Sequence, residues 1–123
     1  MSNTKPLDGL RVLELGQIAA GPYAASLLAD LGADVVKIEN PDNGDGMRQW
    51  PPLNKVDDAG EVYSENFASL NRNKRSVTLN LKDPADIQTL KALCAAADIV
   101  IENYRPGVLD RLGVGYEALK AVN

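Results

Sequence analysis

The chain has 123 residues, 45% of them hydrophobic, which is enough for one compact domain with its own core. Its net charge of −4 argues against nucleic acid or an acidic membrane surface as the main partner. No apolar run approaches the roughly 20 residues that span a bilayer, and the opening residues lack a secretory signal pattern. One cysteine excludes an internal disulfide, and the absence of histidine excludes histidine-based catalysis and leaves few ligands for a metal. We therefore expect a cytoplasmic protein that needs no metal.

The first half of the chain has the pattern of a strand–helix–strand unit. Apolar runs predict strands over 10–15 and 34–39, and the segment 21–32 between them starts with Gly-Pro and ends in glycine, as helices do. Residues 40–60 are rich in proline, glycine, asparagine and aspartate and predict a long loop. A short helical segment is compatible with residues 63–72.

The second half repeats this order of elements. Alternating apolar residues predict a half-buried strand over 76–82, and Asp-Pro opens a helix over 83–97. A fourth strand over 98–102 is followed by short helical pieces at 107–112 and 116–121. Strands that alternate with helices predict an α/β fold with a mostly parallel sheet and covering helices.

Two strands end in the same dipeptide, which predicts where a ligand would bind. "ADVVKIENP" (33–41) and "AADIVIENY" (96–104) both run into Glu-Asn. In a parallel sheet both pairs lie at the carboxyl edge, where open α/β sheets bind ligands. Gln17 and Asn80 fall at the ends of the other two strands. Asparagine also ends strands without binding anything, but four polar strand ends together favour a site.

Three further segments are compatible with an anionic ligand. "GQIAAG" (16–21) lies before a helix N-terminus, where phosphates bind, although it matches neither the dinucleotide fingerprint nor a Walker loop and suits a tight packing turn equally well. "NRNKRS" (71–76) brings three cations together, as a phosphate contact or a solvated turn. Tyr104 beside Arg105 offers a flat face to a base. The residues alone thus indicate a site for a nucleotide-like anion, with no visible reaction.

Three stretches together resemble a known family: "PLDGLRVLELGQIAAGPYAASLLADLGADVVKIENPDNGD", "LNRNKRSVTLNLK" and "ADIVIENYRPGVLDRLG". They are similar, in order and spacing, to the N-terminal part of the class III coenzyme A transferases, which include formyl-CoA transferase, carnitine dehydratase-like (CaiB/BaiF-like) proteins and α-methylacyl-CoA racemase. The resemblance implies that residues 1–123 are an N-terminal CoA-binding segment of a Rossmann-like large domain, as a fragment or a truncated relative.

The resemblance also implies that coenzyme A, as substrate and acyl carrier, binds along the carboxyl edge of the sheet. The turn after the first strand would approach the thioester and pantetheine end, and the third strand would line the adenosine part. The segment after the fourth strand would contact the cofactor, and the following helix would bind phosphate. Asn40 falls where members often have an arginine near the CoA phosphates, and Arg75 matches a family position of unassigned role. The turn positions are Gln17, Ala19 and Ala20, and those of the third strand are Leu79, Asn80, Leu81 and Lys82. After the fourth strand they are Asn103, Tyr104 and Arg105, and the helix position that would bind phosphate is Arg111.

In that family the reaction requires residues that this sequence does not contain. Transferases move coenzyme A between an acyl-CoA and a carboxylic acid through an aspartate that forms an acyl anhydride and then an aspartyl-CoA thioester. That aspartate lies beyond residue 123, so we expect no catalytic residue here, and the full-length members form interlocked homodimers. A 2-methylacyl-CoA racemase of the same fold and a non-catalytic interaction module remain alternatives. A nicotinamide-binding domain is disfavoured because the glycine fingerprint is missing.

Overall fold

A four-stranded parallel sheet lies at the centre of the computed structural model, which describes residues 4–56, 58 and 60–123. The strand order is β5-β2-β1-β6, and every pair in this sheet is parallel. Along the chain the elements are β1 (Arg11–Glu14), α1 (Ala20–Asp30), β2 (Asp34–Glu39), a 3-10 helix (Gly46–Gln49), β3 (Leu53–Lys55), β4 (Val62–Ser64), α2 (Glu65–Asn71), β5 (Lys74–Thr78), α3 (Pro84–Ala95), β6 (Ile99–Ile101), α4 (Val108–Arg111) and α5 (Tyr116–Lys120). The predicted α/β fold with a mostly parallel sheet and covering helices is confirmed.

Helices cover both faces of the sheet because successive residues of its strands point to opposite sides. On β1, Val12 packs in a buried cluster with Ala25 and Ala29 of α1. The next residue, Leu13, lies in the larger cluster on the other face, which includes Leu90 of α3. The sequence therefore builds two separate hydrophobic layers from one apolar run.

Strand β5, the third strand predicted along the chain, begins and ends earlier than the sequence predicts. It covers Lys74–Thr78 instead of 76–82, and its side chains are mostly exposed because it is an outer strand. Asn80 lies beyond the strand in a turn, where its backbone N–H donates to Asp86 at 2.8 Å and its side-chain oxygen accepts from the Lys82 N–H at 3.0 Å. These local bonds engage Asn80, so the hydrogen-bonded pairing of β5 with β2 ends before the alternating apolar pattern of residues 76–82 ends.

The predicted loop over 40–60 contains regular structure that the sequence did not reveal. It includes the 3-10 helix and β3, which pairs antiparallel with β4 in a separate two-stranded sheet.

The possible helix around 63–72 is confirmed as α2, whose first turn is capped by the Ser64 hydroxyl accepting from the Phe67 N–H. In the same way, the Asp83 side chain caps α3 by accepting from the Ala85 N–H at 2.8 Å.

Within residues 4–56, 58 and 60–123, no helix combines the length and apolar character needed to cross a membrane.

Leu90 provides a test of the larger core layer, because it is completely buried. We expect Leu90→Ala to lower the free energy of unfolding by about 2–5 kcal/mol through the lost burial and the resulting cavity. Leu27→Ala is the matched control, since Leu27 is also helical but 46% exposed, and it should cost much less. Urea denaturation measures both, and equal losses would contradict the assignment of this core.

Candidate functional site

Three of the four polar strand ends predicted to share one edge of the sheet line a cavity of about 320 Å³: Gln17, Glu39-Asn40 and Asn80. Since β2 and β6 both run parallel to β1, their Glu-Asn pairs do lie at the same edge. Apolar side chains form the remainder of the wall, and they come from β2, from the segment after β5, and from α4 and the residue that follows it. Of the predicted positions the cavity brings together Gln17, Asn40, Leu79, Asn80, Leu81, Lys82, Tyr104 and Arg111.

A second cavity of about 260 Å³ adjoins the first, because Gln17 and Tyr104 line both. Its other walls are Ile18, Asn103 and Arg105. The Asn103 side chain is fully engaged with the turn after β1: its oxygen accepts from the Gln17 N–H at 2.8 Å, and its amide donates to the Gln17 carbonyl at 2.9 Å. Asn103 therefore holds the turn that forms the cavity wall.

Ala19 and Ala20 lie outside the lining of both cavities, exposed where α1 begins. The two glycines of "GQIAAG" pack closely, as expected for a tight packing turn. A Cβ on Gly16 would lie 2.8 Å from the Gly21 Cα, and one on Gly21 would lie 3.0 Å from the Asn103 side-chain oxygen. Larger residues at either glycine would push the turn away from α1.

Ile18, in the same turn, has a backbone conformation that its side chain disfavours. Its φ of 66° lies in the left-handed region, which is rare for β-branched residues. The Ile18 N–H donates to Asp45 at 3.0 Å, and the same oxygen accepts from the Met47 N–H at 2.9 Å. Strain of this kind persists where surrounding bonds fix the backbone, and it concentrates at functional sites.

A buried network of charges lies directly beneath this turn, and the sequence analysis missed it. Glu14 and Lys37 are opposite each other in the β1–β2 register, and their side chains are 2.8 Å apart. The Lys37 ammonium also lies 2.9 Å from Asp45 and donates to the Gly16 carbonyl at 2.9 Å. Lys74 approaches the other Glu14 oxygen at 2.7 Å, and burial lowers its pKa while the bond to Glu14 opposes that shift. Opposite charges within two apolar strands were the signal available in the sequence.

Glu39 is the second charged centre of this edge and holds the loop after β2. Arg48 donates two bonds to its carboxylate at 2.8 and 2.7 Å, and the Ser76 hydroxyl and the Asp45 N–H add two more. Burial alone would raise the pKa of Glu39, but these bonds outweigh it and lower the pKa to about 2. Arg48 also stacks over the Phe67 ring at 3.8 Å, so its charge is not free for a ligand.

The basic residues divide into paired and unpaired groups. Arg72 and Arg75 of "NRNKRS" pair with Asp30 and Asp34; because Asp34 begins β2, Arg75 lies at the edge opposite the cavities. Lys82, Arg105 and Arg111 form no ion pair with any carboxylate that the structure describes. These three are the cations that line the two cavities.

A larger groove of about 770 Å³ runs beside β6, α4 and α5 and shares Tyr104 and Arg105 with the second cavity. Cys94 lines this groove but is buried, and burial raises the pKa of its thiol. Across the described ranges, no group of three or more cysteine, aspartate and glutamate side chains is placed to hold a metal.

Comparisons with known proteins agree with this geometry. The fold is that of an α/β domain with cavities at the carboxyl edge of its parallel sheet. A family model described as CoA-transferase family III matches residues 7–123, and the chain belongs to that family.

Its relatives include succinyl-CoA:glutarate CoA-transferase of Homo sapiens, 42% identical over 123 residues, which are 99% of this chain and 27% of that protein. Formyl-CoA:oxalate CoA-transferase of Rhodopseudomonas palustris is 43% identical over 98% of this chain and 27% of its own length. A solved CAIB/BAIF family protein from Brucella suis has a TM-score of 0.90 and 45% identity over 98% of this chain. The chain spans only 31% of that structure, or about a third of such proteins.

Lys37 tests the buried network beneath the turn. Lys37→Met leaves Glu14 and Asp45 without their shared counter-charge, and we expect the free energy of unfolding to fall by about 3–5 kcal/mol. Lys55→Met, at an exposed position of β3, is the control and should change it little. A small loss for Lys37→Met in chemical denaturation would show that the network is dispensable.

Glu39 gives a prediction for the dependence of stability on pH. Its folded pKa of about 2 lies below the ordinary 4.5, so the ionised side chain stabilises the fold above pH 4.5, and this stabilisation disappears as pH falls toward 2. Glu39→Gln should therefore lower the unfolding free energy at pH 7 by on the order of 2–3 kcal/mol, with a shrinking deficit between pH 5 and pH 2. Denaturation at a series of pH values measures this, with Glu117→Gln on exposed α5 as control. A deficit that does not change with pH would contradict the assignment.

Proposed function

We propose that this chain is the N-terminal CoA-binding segment of an enzyme that transfers coenzyme A between an acyl-CoA and a carboxylic acid. The observation that carries the proposal is the pairing pattern of the cations. Lys82 and Arg111 line the first cavity and form no ion pair with a described carboxylate, whereas Arg48, Arg72 and Arg75 are neutralised. A cavity with unpaired cations favours an anionic ligand, and phosphate groups suit lysine and arginine.

The arrangement of the two cavities supports one orientation of the ligand. In this proposal the phosphates lie against Lys82 and Arg111, and the adenosine packs on the apolar wall that includes Leu79 and Leu81. The pantetheine arm extends into the second cavity, toward the turn at Gln17 and the start of α1. Arg105, which lines that cavity and is exposed, would contact the cofactor from the segment after β6.

The chemical step belongs to a carboxylate that this sequence does not supply. In the transferase mechanism an aspartate attacks the thioester, and this chain's part is to bind CoA and fix the thioester against the turn after β1. Names of the relatives support transfer between carboxylic acids over the racemase alternative, since they are CoA-transferases acting on glutarate or oxalate.

Substitution of Arg111, the unpaired arginine of the first cavity, tests the proposed CoA site. We expect the 123-residue chain to bind CoA in isothermal titration calorimetry, and Arg111→Ala to weaken binding about 10-fold to 100-fold, the effect of losing a charged hydrogen bond. Arg75→Ala is the matched control, since its partner Asp34 is at the opposite edge of the sheet, and it should leave the affinity unchanged.

Two results would contradict the proposal. One is the absence of binding to the wild-type chain at millimolar CoA. The other is equal weakening by Arg75→Ala and Arg111→Ala, which would indicate general electrostatic attraction instead of a site. Circular dichroism of both variants confirms that any loss does not come from unfolding.

A further inference from the structure

The two cavities at the carboxyl edge share a wall made of two side chains. Gln17 and Tyr104 are the residues that line both of them. The Gln17 side-chain amide donates to the Tyr104 hydroxyl at 3.2 Å, in a half-buried position. The bond therefore lies at the boundary between the two spaces.

The size of the cavities makes this boundary important for the proposed ligand. Their volumes are about 320 and 260 Å³, so one lies at the lower limit of the roughly 300–1,000 Å³ of small-molecule sites and the other below it. Coenzyme A combines a nucleotide with a long pantetheine arm, so it needs both spaces at once. While the boundary between the cavities is closed, the site can hold only one of these two parts of coenzyme A.

The backbone on both sides of this boundary is held by hydrogen bonds that do not involve the Gln17 or Tyr104 side chain. Asn103 holds the Gln17 backbone through both its N–H and its carbonyl, and Tyr104 is the next residue along the chain. The Tyr104 N–H is itself bonded to Glu102 at 2.8 Å. Rotation of the two side chains would break one hydrogen bond and leave this framework in place.

We propose that the Gln17–Tyr104 hydrogen bond closes the passage between the cavities, and that the Tyr104 hydroxyl determines whether the site takes the nucleotide alone or the nucleotide with its pantetheine arm. This inference rests on the proposed function, because it takes CoA as the ligand. When the arm enters, the Gln17 amide exchanges the tyrosine hydroxyl for the ligand. The nucleotide part binds with the passage closed or open.

Tyr104→Phe tests this, because it removes the hydroxyl and keeps the ring. Calorimetry compares two probes: CoA, and adenosine 3′,5′-bisphosphate, which lacks the pantetheine arm. We expect the variant to bind CoA about three-fold to ten-fold more tightly than the wild type, because one hydrogen bond no longer has to be broken. Its affinity for adenosine 3′,5′-bisphosphate should stay within two-fold. Tyr63→Phe, on the exposed strand β4, is the matched control and should change neither affinity.

The possible results separate this inference from the proposed function. Weaker CoA binding by Tyr104→Phe would show that the hydroxyl contacts the ligand directly, which overturns the inference alone. Unchanged CoA affinity, or an equal change for both probes, overturns it as well. Failure of the wild-type chain to bind CoA overturns the proposed function, and the inference with it.

Discussion

The buried ammonium group of Lys37 is the interaction on which this edge of the molecule depends. It contacts Glu14 on the neighbouring strand, Asp45 in the following loop and the Gly16 carbonyl at the end of β1. Isolated buried charges are very costly, so these groups are stable only together. One cation thereby fixes the register of two strands and the position of a loop. The turn that walls both cavities is fixed by the same contacts, because Asp45 also holds the Ile18 backbone.

The cations near this edge differ in whether they form an ion pair. Lys37 and Lys74 are paired beneath the turn, and Arg48 is paired with Glu39 in the loop after β2. Lys82, Arg105 and Arg111, which line the cavities, form no ion pair with a carboxylate that the structure describes. Although the chain has a net charge of −4, these three side chains are therefore available to an anion.

The sequence predicted the parts of this structure that depend on local patterns. Apolar runs located β1, β2 and β6, and the repeated Glu-Asn pair placed two strand ends at one edge, as the parallel sheet confirms. What it could not predict depends on contacts between distant segments. Asn103 bonds to the backbone of Gln17, 86 residues away. The local sequence does not distinguish an asparagine that holds the backbone of another segment from one that binds a ligand. The third strand was placed too late because its register follows from pairing with β2. The binding roles of the site residues stay predictions.

The strand order gives the sheet two outer edges with different chemistry. On β5, Arg75 is exposed and charged, and its guanidinium is anchored to Asp34 of β2, which discourages another strand from pairing there. On β6 the three residues are isoleucine, valine and isoleucine, and β1 is the one partner within the described residues. One edge of the sheet thus carries an ion-paired charge and the other an apolar strand. The apolar edge lies beside the groove that Tyr104 and Arg105 also line, so of the two edges it is the one without a charge that disfavours strand pairing.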